Sequence, residues 1–255
     1  MATPVLCHAM LTRHGKRKPG GKLFTCMDQS FGGFVNMGRA KSSEEERRKT
    51  VTNFIRTTRE LINSDGIGHV SIRKISAKSS CASATIYHYF KNADELIDLA
   101  CISYLERYCR ALASDMPTLK DPLDIYMHTW ELFCRYAFTY PQVFYHLFFK
   151  CKASLKGAID TYYELYPQQL VDISGSIYDM LKSGTLKDRC EAVLIPVAKA
   201  GIIDLNELDV INDMSICYFR ELLENLCARP HVDLSTEYTD KFMRALRILL
   251  KLRQS

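Results

Sequence analysis

From Ser43 onward, apolar residues recur three and four positions apart, and polar clusters cut them into helix-sized lengths. The spacing of Val51, Phe54, Ile55, Thr58, Leu61 and Ile62 predicts a first helix. Ser43 and Glu46 read as a Ser-x-x-Glu capping box at its start, and Ser64-Asp65-Gly66 as its end. A short helix follows with Ser71 as N-cap and Ile72 and Ile75 inward; Ser79-Ser80-Cys81 breaks it. A second short segment carries Ile86, Tyr89 and Phe90 as core residues. A fourth helix begins at Asn92 or Ala93 and runs to about Ala113, with Leu96, Leu99, Ile102, Tyr104 and Leu105 as its core candidates.

After a turn cluster from Met116-Pro117 to Asp121-Pro122, further helices are expected at about 121–138, 141–164, 167–183, 187–201, 207–227 and 236–252. Pro122, Pro141 and Pro167 fall near starts, and Gly184 and Gly201 near stops. Pro196 lies inside its helix and should kink or shorten it. No alternating run rich in Val, Ile and Thr argues for a sheet, so the expected fold is all-α.

The two short helices have a distinctive outer surface. Ser83, Ala84, Thr85, Tyr87 and His88 are small or hydrogen-bonding, and no Asp or Glu occurs from Ile72 to Lys91. A recognition helix lying against base edges needs such a face, because acids there would repel phosphates. Tyr87 and Lys91 are the phosphate candidates, Lys91 standing at the entrance of the fourth helix beside its backbone N–H groups. Ala82, Ser83, Ala84 and His88 are the base-reading candidates, with Thr85 between the two roles.

The run Ile86-Tyr87-His88-Tyr89-Phe90-Lys91-Asn92, followed by Asp94-Glu95-Leu96, resembles the DNA-binding signature of the TetR/AcrR family without a gap. Gly66-Ile67 and Val70 resemble the linker that leads into it. Two residues depart from the family pattern: Ser80 stands where Gly is usual in the turn, and Ala82 where Ser or Thr usually caps the recognition helix. Ser83 offers a cap one residue later. The resemblance implies a three-helix helix-turn-helix domain at 43–92 and a helical effector-binding and dimerisation domain at 93–255. It also implies that Arg47, Arg48 and Ser71 approach the phosphate backbone, although Arg47 and Arg48 have neighbouring glutamates to pair with.

Charge sharpens this picture. Lys and Arg outnumber Asp and Glu by 7 to 1 in residues 1–43 and by 11 to 9 in 44–110, but trail 16 to 19 thereafter. Positive charge therefore sits in and before the helix-turn-helix. Residues 1–42, with Gly-Gly pairs and no sustained period, read as a disordered or spurious extension; Met27 and Met37 are alternative starts, and Arg13 to Lys18 an alternative DNA-tracking arm. The ten cysteines form no C-x-x-C and no zinc spacing, so no metal or cofactor is expected; they read mostly as small buried residues, with redox sensing by a pair held open. With no apolar run of membrane length and no signal-like segment, a cytoplasmic protein that avoids membranes is expected.

Aromatics crowd residues 126–166. Core packing accounts for most, but the resemblance places an effector pocket here, with Tyr126, Trp130, Phe133, Tyr145 and Phe148 as candidate walls and His128 and His146 as further polar tips. The resemblance also assigns the last two helices, with Phe242, Leu246 and Leu249 on one stripe, to a homodimer interface. The expected function is a homodimeric regulator, a repressor released from a palindromic operator on double-stranded DNA by a small molecule. A ligandless DNA-binding or chromosome-organising factor of the same fold is the alternative. No constellation of nucleophile and base, paired carboxylates or phosphate loop suggests an enzyme.

Overall fold

The computed structural model describes residues 35–151, 155–170, 180, 185–229 and 233–251, with side chains from Ser43 onward and not at Leu170. The expectations for residues 1–34, for Gly184 and for most of 167–183 lie outside them. Residues 42–255 form one compact unit, and Met1–Lys41 falls in a separate one. Every regular element among the described residues is helical.

Helix α1 runs Val35–Asp65, longer than expected. Ser43 and Glu46 therefore stand inside it instead of capping its start. The preceding residues, Met37, Arg39, Ala40 and Lys41 among them, are good helix formers and carry the turns back without a break. Gly66 ends α1: at φ 83°, ψ 153° it takes a conformation that side chains disfavour, while its N–H still reaches the Ile62 carbonyl at 3.1 Å.

Helices α2 (Ile72–Ser79) and α3 (Ser83–Tyr89) follow. Helix α4 (Ala93–Asp115) is buried almost all round; beyond the expected apolar residues it buries Asp98, Ser103 and Glu106. Helix α5 (Pro122–Thr139) starts on Pro122, with Asp121 capping the N–H groups of Leu123 and Asp124. The single helix expected over 141–164 is divided. Helix α6 (Pro141–Tyr145) passes into a π-turn, His146–Lys150, closed by the Cys151 N–H on the His146 carbonyl at 2.7 Å, and α7 (Leu155–Leu165) begins afresh. Such turns bulge a helix where a side chain must be re-aimed; here His146 turns onto buried Asp98 of α4, Nε2 to Oδ1 2.6 Å.

Helix α8 (Leu186–Lys199) tolerates Pro196 and stops two residues before Gly201, which takes φ 74°. Helices α9 (Leu208–Cys227) and α10 (Ser235–Leu249) close the chain. Helix α10 packs on α5, and α9 on α8. Trp130 joins these layers, its ring 4.7 Å from Phe242 and 5.7 Å from Phe219.

This packing changes the expected dimer stripe. Phe242 and Leu246 are buried within the subunit, as are Ile211, Phe219, Leu222, Leu223 and Leu226. Together they fill the space under α5, which a single stripe read in isolation cannot reveal. The outward apolar residues of this end are instead Leu205, Val210, Met214 and Ile248, each more than half exposed.

Candidate nucleic-acid interface

The reading head is built by three buried anchors. Ile75 from α2 and Ile86 from α3 are fully buried, and Phe90 packs its edge on the Phe54 ring of α1 at 6.4 Å. Burial of a side chain of this size is worth roughly 1.5–3 kcal/mol, which is enough to hold two short helices that could not persist alone. Ser71 caps α2 by accepting the Lys74 N–H at 3.3 Å. The turn goes left-handed at Ser80 (φ 54°, ψ 33°), the position where the family pattern has Gly. Its N–H and that of Cys81 both reach the Ser76 carbonyl, and the Ser76 hydroxyl returns to the Cys81 carbonyl. Ala82 is the residue at the N-cap of α3, extended and with no side-chain cap, so the start does not shift to Ser83.

With Ile86 inward, the opposite face of α3 meets solvent. Ala82, Ala84, Thr85, Tyr87 and His88 are exposed and Ser83 half-buried; Tyr87 keeps 58% of its surface accessible, unusual for a large ring. Lys91 is exposed beyond them. Its backbone N–H donates to Glu95 at 2.8 Å while Asn92 accepts from the Glu95 N–H at 3.0 Å, so α4 caps itself. The N–H groups of Lys91 and Glu95 at this helix end are therefore already engaged, and its exposed positive charge is the Lys91 ammonium.

The other basic residues divide. Lys74 binds Asp65 at 2.6 Å and holds that carboxyl below the usual carboxylate range; Lys78 faces Glu60 at 3.5 Å. Arg47 pairs with Glu44 at 3.5 Å. Arg48 is engaged elsewhere: its Nε donates to the Leu165 carbonyl at 2.8 Å and its Nη2 to Gln168 at 3.2 Å, tying α1 to the end of α7. Arg73, overlooked in the sequence reading, is exposed on α2 with no ion pair among the described residues. The first helix of such a motif crosses the backbone, so a basic residue on its outer face was the signal available.

The candidate effector residues do not converge on one point. Trp130 and Phe133 line a small cavity of about 20 Å³ together with Tyr108, Thr129, Met180 and residues of α8. Phe148 lies next to it, its ring 5.5 Å from Phe133 and beneath the Arg189 guanidinium at 5.7 Å. Tyr126 is fully buried outside that lining, where burial pushes its phenol well up. Tyr145 donates to Glu224 of α9 at 2.8 Å, and His128 faces Asp115 at 2.9 Å. Cys101, Cys109, Cys134 and Cys190 are buried, and burial raises the Cys109 thiol to about 12.

Among the described residues, an exposed, acid-free α3 standing on a buried three-helix base is the arrangement of a helix-turn-helix. Residues 54–100 match the family model of bacterial regulatory proteins, tetR family. Over about four-fifths of the chain the fold is similar to those of solved regulators. The TetR-family transcriptional repressor FadR of Thermus thermophilus, in complex with lauroyl-CoA, superposes with a TM-score of 0.51 at 14% identity over 80% of this chain and 97% of its own. RolR in complex with resorcinol gives 0.53 at 14% identity over 83% and 97%. The fatty acid degradation regulator FadR of Bacillus halodurans gives 0.52 at 15% over 80% and 97%. No curated protein matches in sequence. The match over residues 54–100 assigns the helix-turn-helix to that family's DNA-binding segment, and the rest of the chain is similar in fold to these solved regulators.

Proposed function

We propose that the protein is a homodimeric repressor that holds a palindromic operator until a small apolar molecule enters its second domain. The observation that carries this is the α3 surface: an exposed run of short and hydrogen-bonding side chains, with Tyr87 and Lys91 flanking it and acids excluded. Ala82, Ser83, Ala84 and His88 read bases, Thr85 sits at the boundary, and Tyr87, Lys91, Ser71 and Arg73 contact phosphates. Two-fold symmetry pairs two heads with two half-sites.

Dimerisation is assigned to the outward face of α9 and α10, where Val210, Met214 and Ile248 are more than half exposed and Cys217 is exposed among them. An apolar patch of this kind favours a partner surface. The effector reading draws support from the cavity beside Trp130 and Phe133, and from two fold neighbours solved with lauroyl-CoA and with resorcinol. Effector binding acts only through its preference for one of two states; the Arg48 contacts with Leu165 and Gln168 are the route by which a shift of α7 reaches α1. No helix among the described residues is long and apolar enough to cross a membrane, consistent with a cytoplasmic regulator.

The small size of the cavity favours a second reading, a ligandless DNA-binding factor. Selection of bound sequences from random DNA, followed by screening metabolites for release of the selected operator, separates the two. A symmetric consensus with metabolite-dependent release supports the sensor; a symmetric consensus bound regardless of any metabolite supports the ligandless factor; no consensus refutes sequence-specific regulation.

A further inference from the structure

Three buried polar atoms on α5 and α9 make no hydrogen bond among the described residues: the Tyr126 hydroxyl, the Trp130 indole N–H and the Asn212 amide oxygen. Their residues are 0%, 2% and 1% exposed. Tyr126 and Trp130 stand one turn apart on α5, and Asn212 and Ser215 one turn apart on α9, so each pair shares a helix face. The Trp130 N–H and the Ser215 hydroxyl are the polar neighbours of the Tyr126 phenol, near enough to act on it yet without the geometry of a hydrogen bond. Buried tyrosine and tryptophan normally find partners for these groups. Polar atoms that gather without bonding one another suit a site that another molecule completes.

We propose that this cluster is the polar end of the effector site and reads the hydroxyl of a small neutral phenol or aromatic alcohol. The proposal rests on the sensor reading above and names the chemistry of its ligand. The cluster asks for both a donor and an acceptor. The Trp130 N–H can only donate. Asn212 gives its amide N–H to the Lys187 carbonyl at 3.1 Å, which fixes the orientation of the amide and leaves its oxygen as an acceptor. Ser215 commits its hydrogen to the Ile211 carbonyl at 2.7 Å and offers only lone pairs. The Tyr126 hydroxyl can act either way. A ligand hydroxyl accepts from an N–H and donates to an oxygen at once, which matches this set. A carboxylate only accepts, and would face the Asn212 and Ser215 oxygens with no proton to give. An ether has the same defect, and a hydrocarbon meets none of the demands. Burial pushes the Tyr126 phenol well up, and Cys190, which acts on it, is likewise kept protonated.

The body of the ligand follows from Trp130. Its ring also borders the cavity, with Phe133, Met180 and Val193, so a ring on these apolar walls can carry its hydroxyl past the indole edge to the N–H. At about 20 Å³ the cavity has room for one water. An aromatic ring is therefore accommodated only as a wall moves, which ties occupancy to a change of state. Asn212 and Ser215 lie on α9, the helix whose outward residues Val210 and Met214 are assigned to the dimer. A hydroxyl that joins Trp130 to these oxygens draws α5 and α9 together behind that face.

The test uses the full chain on its selected operator, with phenol and benzyl alcohol against anisole, toluene and benzoate, ring-bearing probes that differ in the polar group. Binding is followed by thermal shift and release by fluorescence anisotropy. The hydroxyl probes raise the melting temperature and release the operator, and the other three act at least several-fold more weakly. Tyr126→Phe weakens the response to the hydroxyl probes by roughly 3–10-fold, the loss of one neutral hydrogen bond. It leaves the melting temperature without ligand level or higher, because it also removes an unpaired buried hydroxyl; a packing role alone would not separate the probes. Ser215→Ala weakens the same responses and keeps the proposal testable if Tyr126→Phe does not fold. Anisole, toluene or benzoate acting as well as phenol overturns the hydroxyl assignment and leaves the sensor reading standing, and so does a phenol response unchanged in both variants. Indifference to every probe refutes the hydroxyl assignment, and indifference to whole metabolite pools as well removes the sensor reading with it.

Discussion

Lys91 offers the sharpest test of how the head holds DNA. Its ammonium is exposed and has no ion pair among the described residues, whereas Lys74, Lys78 and Arg47 are already opposite acids. Each phosphate neutralised contributes about 0.9 to the slope of log K against log salt. In a homodimer a substitution occurs twice, so Lys91→Ala should flatten that slope by about 1.8. Across a fourfold salt range, such as 50 to 200 mM, the variant then loses about 12-fold less affinity than the unsubstituted protein. Arg73→Ala should act alike. Arg47→Ala should act less, because Glu44 already screens that charge. Tyr87→Phe removes a neutral hydrogen bond and should weaken binding with the slope preserved. Anisotropy titrations of a labelled operator at several KCl concentrations measure all four. An unchanged slope for Lys91→Ala would refute its phosphate role; a change in preferred sequence would move it to base readout.

Ser80→Gly should stabilise the head modestly: the left-handed backbone costs a non-glycine residue about 1–2 kcal/mol, offset in part by the greater unfolded-state freedom of Gly. A small rise in melting temperature supports this, and a fall would show that the Ser80 side chain contributes something beyond its backbone angles. Val210→Lys with Met214→Glu should yield monomers that retain their helical circular dichroism but bind a palindromic site weakly; an intact dimer in light scattering would exclude that face. Trp130→Ala should cost about 3–5 kcal/mol, because the ring is 2% exposed and touches Phe133, Phe219 and Phe242. Chemical denaturation checks this, and a cost under about 1 kcal/mol would make it a mobile pocket wall instead. Replacing Ser83 and His88 together should alter half-site preference by about 1–3 kcal/mol per disturbed base pair, read by repeating the selection.

The head was legible because its signals are local. Ser71, Ile86 and Phe90 each occupy the place that capping and periodicity assigned, and Ser80 the turn position that the family resemblance implied. Helix α1 was misjudged because a good capping box is also compatible with a helix interior, and only the residues before it decide. The break after Tyr145 was hidden for a different reason: the π-turn exists to deliver His146 to Asp98, a partner 48 positions away. Distance in sequence also explains the dimer stripe. Phe242 and Leu246 satisfy any criterion for an apolar face, but whether that face meets α5 or a second subunit depends on tertiary packing. The burial of Arg189 was passed over for a similar reason, because a single arginine in a polar-looking helix carries no sign of it.

Arg48 shows how head and second domain are coupled under the proposed mechanism. A phosphate contact and a tether to α7 make opposite demands on one side chain, and its geometry satisfies the second. The tether is weak, since an exposed arginine bonding a carbonyl and an amide contributes little in water. Weakness suits the role. Allosteric coupling energies are typically about 1–3 kcal/mol, and a contact much stronger than that would hold the head in one orientation whatever the cavity contained. The fixed parts of the junction lie elsewhere: Tyr104 of α4 donates to Asn63 of α1, and His146 holds Asp98. In the proposed mechanism helix α4, buried on nearly every side, acts as the axle, and the end of α7 as the part that releases α1 on effector binding.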